Sequence, residues 1–213
     1  MTESTRRLDG YGAGLIREIA LAERVKQGLS RLYRLGALPH VGDFVTLAEG
    51  EEREAVFVRD SGEDLEIELR MPKLATEEVD LHGSNLDPLC QIIEGVSHFV
   101  YLAARAERRR ETTQLELEIQ AEVDKYVVLA HGLPGFSTRT SERLRMRLFA
   151  DVAYCHVAST DEGARYRIAN DTAHRFTEKL ERRYVENARV VAMRSELRSF
   201  FEMGLEEKLR AAR

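Results

Sequence analysis

The sequence of 213 residues predicts an α+β fold that is predominantly helical. Two observations support this prediction. Apolar residues recur at steps of three and four along residues 13–35 and along most of the chain after residue 86, which is typical of amphipathic helices. Short alternating or β-branched runs occur between residues 44 and 69, which is typical of strands. We therefore expect an N-terminal helix, a small three-stranded antiparallel sheet and a bundle of about five helices.

The N-terminal part of the chain predicts one helix followed by the sheet. The helix covers residues 13–35, and Gly36 is expected to end it. Three short segments, 44–47, 55–58 and 65–69, predict the antiparallel strands, with a turn between the last two. The last segment alternates apolar and charged residues, so one face of the sheet should be covered by a helix.

The remainder of the chain predicts helices separated by short loops. Asp87 and Pro88 form a typical helix start, and Thr113 begins a capping box for the next helix. That next helix opens with a strict alternation that also fits a strand, and we interpret it as a helix buried on more than one side. The further predicted helices cover residues 141–158, 161–184 and 190–213, with a break at Gly204. We divide the chain into residues 1–80 and 81–213 and expect them to form one compact unit.

Composition limits the classes of function. The formal net charge is −5, which argues against nucleic-acid binding by the whole surface. This charge is uneven, since residues 1–138 carry −9 and residues 139–213 carry +4. We expect a cytoplasmic protein without a membrane segment, and we interpret Cys90 and Cys155 as buried free thiols. The excess of arginine over lysine, 27 to 5, is consistent with a GC-rich bacterial genome.

Acidic residues and a histidine predict a candidate metal site. Glu94 and His98 are four residues apart and share one helix face. On the following helix Glu122 is expected to face them, together with other carboxylates of the segment, Glu116, Glu118 and Asp124, and with His131 at its end. A helical bundle builds carboxylate–histidine sites for divalent ions from such facing residues. The same residues also fit an ion pair on a solvated helix face.

A second candidate site lies in the segment from Arg167 to His174. The pair resembles the Arg-x4–6-His signature of HEPN-type helical RNases over these eight residues. The resemblance implies that Arg167 stabilises phosphate charge and that His174 transfers a proton during RNA cleavage. Arg34 and His40 have the same type of spacing.

A third candidate is a basic helix face formed by Arg139, Arg143 and Arg147. An anionic partner or a nucleic-acid backbone fits such a face, although no aromatic residues that would stack on bases are interleaved. The sequence contains no glycine-rich phosphate loop and no Gly-x-Ser-x-Gly motif. We therefore predict a non-enzymatic interaction or regulatory protein that binds a protein partner or itself. The alternatives are a metal-binding helical bundle and a HEPN-like RNase.

Overall fold

The structure, a computed structural model, describes residues 16–47, 55–60, 65–74 and 86–213. Its described part is predominantly helical with one small sheet, as the sequence predicts. The helices are α1 (Ile16–Tyr33), α2 (Leu86–Glu107), α3 (Gln114–Gly132), α4 (Thr138–Phe149), α5 (Asp161–Leu180), α6 (Val190–Glu202) and α7 (Leu205–Ala211), and the strands are β1 (Val45–Leu47), β2 (Ala55–Asp60) and β3 (Leu65–Met71). The predicted turn after β2 and the predicted start of the first helix lie outside the described residues.

The sheet differs from the prediction in the direction of one strand pair. Its order is β1-β3-β2, with β2 and β3 antiparallel and β1 and β3 parallel. The all-antiparallel arrangement is not confirmed, because the chain crosses to the far edge after β1 and leaves β3 in the centre. Leu69 and Met71 are buried, whereas Glu68 and Arg70 are partly exposed. One face of β3 is therefore covered, and it packs against α2.

The core joins the two parts of the chain that the sequence divides. Leu29 and Leu69 come from the first part, and they belong to the same buried cluster as Ile92, Ile119 and Phe200. Among the described helices, none combines the length and the apolar character needed to cross a membrane.

Three helix ends place a non-glycine residue in the left-handed region. Arg34, Arg109 and Ala188 have φ values of 56°, 53° and 52°. After each of them the chain closes with a backbone hydrogen bond typical of a Schellman motif, such as Arg189 N–H to Tyr184 O at 2.8 Å. Gly36 does not end α1 as predicted, since the helix already stops one residue before Arg34.

The helix α4 is shorter than predicted. It ends at Phe149 instead of residue 158, and the side chain of Asn170 donates a hydrogen bond to the Phe149 carbonyl at 2.9 Å. This contact satisfies one carbonyl that a longer helix would have used internally. Cys155 therefore lies in the connection to α5 and is exposed, so the prediction of a buried thiol is wrong for this residue; Cys90 is partly buried.

The predicted break at Gly204 is confirmed. Met203 is extended, and Gly204 caps α7, where its N–H donates to Glu207 Oε2 at 3.0 Å. Between α5 and α6 the chain forms a π-helical turn, Glu181–Val185, at the end of the helix that the sequence predicts for residues 161–184.

The segment with the alternating pattern forms α3, which is buried on more than one side as predicted. It packs against α1, α2, α4, α5 and α7. Its apolar residues Ile119, Ala121 and Val123 are fully buried, and so are the polar residues Gln120 and Asp124. Alternation therefore reflects two buried faces of one helix.

A buried polar network ties four helices together around Asp124. Its carboxylate accepts hydrogen bonds from Tyr33 of α1, from Ser97 of α2 at 2.6 Å and from Gln120 at 3.0 Å. Lys208 of α7 donates to Gln120 Oε1 at 2.6 Å. Because each of these contacts is removed from water, opening one of them leaves a buried polar group without a partner.

Next to this network, Arg105 of α2 closes the end of α6. The guanidinium forms a buried ion pair with Glu116 and donates to the Met203 carbonyl at 2.7 Å. The hydroxyl of Tyr101 also donates to Glu116. The chain break before α7 is thus held by polar contacts from the central helices.

The stability contribution of Lys208 should depend on pH. Burial lowers the pKa of Lys208 to about 7, against opposing effects of Glu116 and Asp124. Below this value the buried charge costs stability. Above it the folded state has lost the proton, which the unfolded chain retains up to about pH 10.5, so stability rises with pH. We expect the unfolding free energy of the wild type to gain about 1.4 kcal/mol per pH unit above pH 7, relative to Lys208→Met.

Urea unfolding of both proteins at pH 6, 7, 8 and 9 measures this difference. Groups that do not interact with Lys208 cancel in the comparison, and the pKa of Asp124, which Lys208 lowers, is about 6, at the lower end of this pH range. A difference that stays constant from pH 6 to pH 9 would contradict the assignment, because it would mean that Lys208 keeps its proton throughout.

The left-handed conformation of Ala188 predicts that a glycine at this position stabilises the folded protein. Ala188 is exposed, and its left-handed conformation costs about 1 kcal/mol for a residue with a Cβ. We expect Ala188→Gly to raise the unfolding free energy by about 1 kcal/mol in a urea titration. The matched control is Ala20→Gly at an exposed position of α1, which should lower it by a similar amount. If Ala188→Gly lowers the unfolding free energy as much as Ala20→Gly does, the conformation of Ala188 is not strained.

Candidate metal centre

A cluster of ionisable side chains lies where α2 packs against α3. Glu94 and His98 stand one helical turn apart on α2, and Glu118 and Glu122 stand one turn apart on α3. One potential ligand atom each of Glu94, His98 and Glu118 lies within 4.8 Å of the others. In the part of the chain that the structure describes, this is the one group of three such residues that are close enough to hold a metal ion.

His98 is buried and has an unpartnered nitrogen. The residue is 9% exposed, and Nε2 makes no hydrogen bond. The carboxylate oxygen Oε2 of Glu118 lies 3.7 Å from Nε2, which is too long for a hydrogen bond. Burial lowers the pKa of His98, so its imidazole is neutral at physiological pH. Neutral imidazole is the form that binds metal ions.

Glu118 lacks a close cation. Burial and the charge of Glu94 raise the pKa of Glu118 to about 8, while Arg165 opposes the shift. The Arg165 guanidinium approaches only to 3.8 Å, from Nε to Glu118 Oε1. When Glu118 is ionised, this distant guanidinium is a weak counter-charge, and a divalent cation bound at the site would stabilise the ionised carboxylate more closely.

Glu122, which the sequence predicts as the third ligand, has a different partner. Lys125 Nζ donates to Glu122 Oε1 at 2.7 Å and to Glu94 Oε2 at 3.0 Å. Burial and Glu94 raise the pKa of Glu122, whereas Lys125 lowers it. The structure thus groups Glu118 with Glu94 and His98, one turn before the predicted residue.

The remaining acidic residues of α3 belong to its other buried face. Glu116 pairs with Arg105, and Asp124 is held by Tyr33, Ser97 and Gln120. His131, at the end of the helix, is exposed. Residues of α3 that are four apart form two stripes, one with residues 116, 120 and 124 and the other with residues 118 and 122. This spacing is visible in the sequence, and it separates the acidic residues of the buried network from those of the candidate metal centre.

Arg167 and His174 of the RNase-like segment have separate partners. Arg167 donates to the carbonyls of His156 and Gly163 at 3.1 and 2.8 Å. His174 Nε2 lies 2.6 Å from Arg145 Nη1 of α4. Burial and Arg145 lower the pKa of His174.

Sequence reasoning missed Arg145 as a buried partner. It lies 3.6 Å from Glu181, the first residue of the π-helical turn, in addition to its contact with His174. Only the spacing within α4 could have indicated that Arg145 is buried. Arg145 is next to Leu144 and lies on the opposite side of the helix from Arg143 and Arg147. Arg139 and Arg143 are exposed, and Arg147 is partly exposed, so the predicted basic face is on the surface.

Comparisons with protein-family models, with curated proteins and with solved structures give no significant match. The assignment of a function therefore rests on the geometry of the described residues.

The unpartnered nitrogen of His98 predicts a gain of stability on its removal. A buried polar atom without a hydrogen bond costs about 1–3 kcal/mol. We expect His98→Leu to raise the unfolding free energy of the metal-free protein by about 1 kcal/mol, measured by urea unfolding with EDTA.

The matched control is the preceding residue, Ser97, whose hydroxyl is hydrogen-bonded. Ser97→Ala removes the donor to Asp124 Oδ2 and should lower the unfolding free energy by about 1–2 kcal/mol. A loss for His98→Leu as large as that for Ser97→Ala would show that His98 is a structural residue with a satisfied environment.

Proposed function

We propose that this protein is a helical bundle that binds one first-row divalent metal ion through Glu94, His98 and Glu118. One observation carries the proposal: the ligand atoms of these residues converge within 4.8 Å around an imidazole nitrogen that has no other partner. The sequence prediction of a carboxylate–histidine site on α2 and α3 supports it, with Glu118 in place of Glu122.

The ligand atoms indicate which type of metal ion the site would bind. An imidazole nitrogen with two carboxylates suits Mn²⁺, Fe²⁺ or Zn²⁺ better than Ca²⁺, which prefers oxygen ligands alone. Ligand atoms about 2.1 Å from a metal ion lie roughly 3 Å apart, so the three side chains must move closer by about 1–2 Å. We expect rotation about side-chain bonds to provide this movement, since the three ligand atoms already lie within 4.8 Å of one another.

Three protein ligands leave coordination positions open. Structural zinc sites are usually closed by four protein ligands, whereas sites with three ligands bind water or a small molecule in addition. Glu94 is the most exposed of the three side chains, at 15%, so it forms the side of the site nearest to solvent.

Titration of the metal-free protein with Mn²⁺ tests the proposal. The free ion is quantified by its electron paramagnetic resonance (EPR) signal, and we expect one bound ion per chain. Glu118→Gln and His98→Leu each remove a ligand and should weaken binding at least tenfold.

The matched control is Glu122→Gln, which changes a neighbouring buried carboxylate outside the triad. It should still bind one ion. The proposal fails if the wild type does not bind Mn²⁺ at millimolar concentration, or if Glu118→Gln binds it as tightly as the wild type does.

A second candidate function is a non-enzymatic protein that binds a protein partner or a second copy of itself. Large apolar side chains exposed on the α4–α5 connection and on α5 favour it, namely those of Tyr154, Val157 and Ile168. Size-exclusion chromatography with light scattering should then give a mass above 24.3 kDa that falls to the monomer value in Val157→Asp. The RNase activity remains a prediction, and RNA cleavage by the wild type and by His174→Ala tests it.

A further inference from the structure

Lys125 contacts two carboxylates of the candidate metal centre. Its Nζ lies 3.0 Å from Glu94 Oε2 and 2.7 Å from Glu122 Oε1, and its side chain is only 10% exposed. We infer that the Lys125 ammonium group occupies a second cation position and thereby limits the centre to one metal ion. This inference rests on the proposed function.

The arrangement of the ligands supports two cation positions. Glu94 and His98 on α2 face Glu118 and Glu122 on α3, so the four side chains form two i, i+4 pairs across one helix interface. Glu94 belongs to the triad and also contacts Lys125. A carboxylate shared between two cations is the arrangement of a bridging ligand in two-metal sites, where the ions lie about 3.5–4 Å apart.

The balance of charge at the centre also supports two cation positions. Glu94, Glu118 and Glu122 carry three negative charges when ionised, and one divalent ion together with Lys125 neutralises them. Arg165, a further cation near Glu118 among the described residues, is 22% exposed and also lies 4.0 Å from Glu162 of its own helix. Removal of Lys125 leaves one buried carboxylate charge uncompensated, and a second cation in the position of the ammonium group would compensate it.

The type of residue fits this role. Lysine presents a compact point charge with several donors, whereas the guanidinium of arginine is a planar fork. The chain has only 5 lysines against 27 arginines, and one of these few lysines stands at this position. An ammonium group is also closer in size to a metal ion than a guanidinium group is.

The experiment compares the Mn²⁺ stoichiometry of the wild type with that of Lys125→Ala. We expect one ion per chain in the wild type and two in the variant, measured by equilibrium dialysis with elemental analysis. The EPR spectrum should change in parallel, from the six-line pattern of an isolated Mn²⁺ to that of a coupled pair of ions.

The double variant Lys125→Ala/Glu122→Gln is the matched control. It lacks the ammonium group and one carboxylate, so we expect one ion. Two ions in the double variant would overturn the inference, because the second position would then not use Glu122.

The outcomes separate the inference from the proposed function. One ion in both the wild type and Lys125→Ala overturns the inference and leaves the proposed function intact, whereas no ion in the wild type overturns both. If Lys125→Ala is unfolded without metal, recovery of the native circular dichroism with two bound Mn²⁺ supports the inference. No recovery in excess Mn²⁺ overturns it.

Discussion

The structure depends on the burial of polar side chains along α3. This helix contacts five others, so its polar groups have little access to water and must find partners within the protein. On one face Asp124 and Gln120 are fully paired, through Tyr33, Ser97 and Lys208. These contacts fix the positions of α1, α2 and α7 around the central helix.

The other face of α3 is satisfied only in part. Glu122 has Lys125, but His98 Nε2 has no partner and Glu118 has only a distant guanidinium. The first face is the more deeply buried one, since Gln120 and Asp124 are fully buried whereas Glu118 is 8% exposed and Glu122 is partly exposed. Incomplete pairing is unfavourable for stability and is typical of sites that bind a ligand. This contrast within one helix separates the structural network from the candidate centre.

The sequence was sufficient for features that depend on local interactions. The N-cap at Thr113, the break at Gly204 and the helical nature of the alternating segment follow from residue type and spacing, and the structure confirms them. The predicted capping box at Thr113 is not confirmed, since the Glu116 side chain pairs with Arg105. The parallel pairing of β1 with β3 was not predictable, because it depends on where the chain crosses the sheet. The early end of α4 was not predictable either, and there the Phe149 carbonyl accepts a hydrogen bond from Asn170, which is 21 residues away.

The location of the candidate site between α2 and α3 was predictable from the sequence. The identity of its third ligand residue, Glu118, was not. Glu94 and His98 follow from their spacing on one helix. Whether Glu118 or Glu122 lies next to Glu94 and His98 depends on how α3 is rotated and shifted against α2. This position of α3 depends in turn on the connection through Arg109 and on the buried contacts of Asp124. Arg145 was missed for a similar reason, since its partners His174 and Glu181 come from elsewhere in the chain.

The attachment of α7 through Lys208 has a consequence for local motion. A helix of seven residues is not stable by itself in water, so the backbone amides of α7 are shielded only while it is docked. Undocking withdraws the donor from Gln120 Oε1 and exposes the centre of the bundle to water. Hydrogen exchange in Leu205–Ala211 therefore reports the opening of the core around α3, in contrast to the independent fraying that is usual for short helices at a surface.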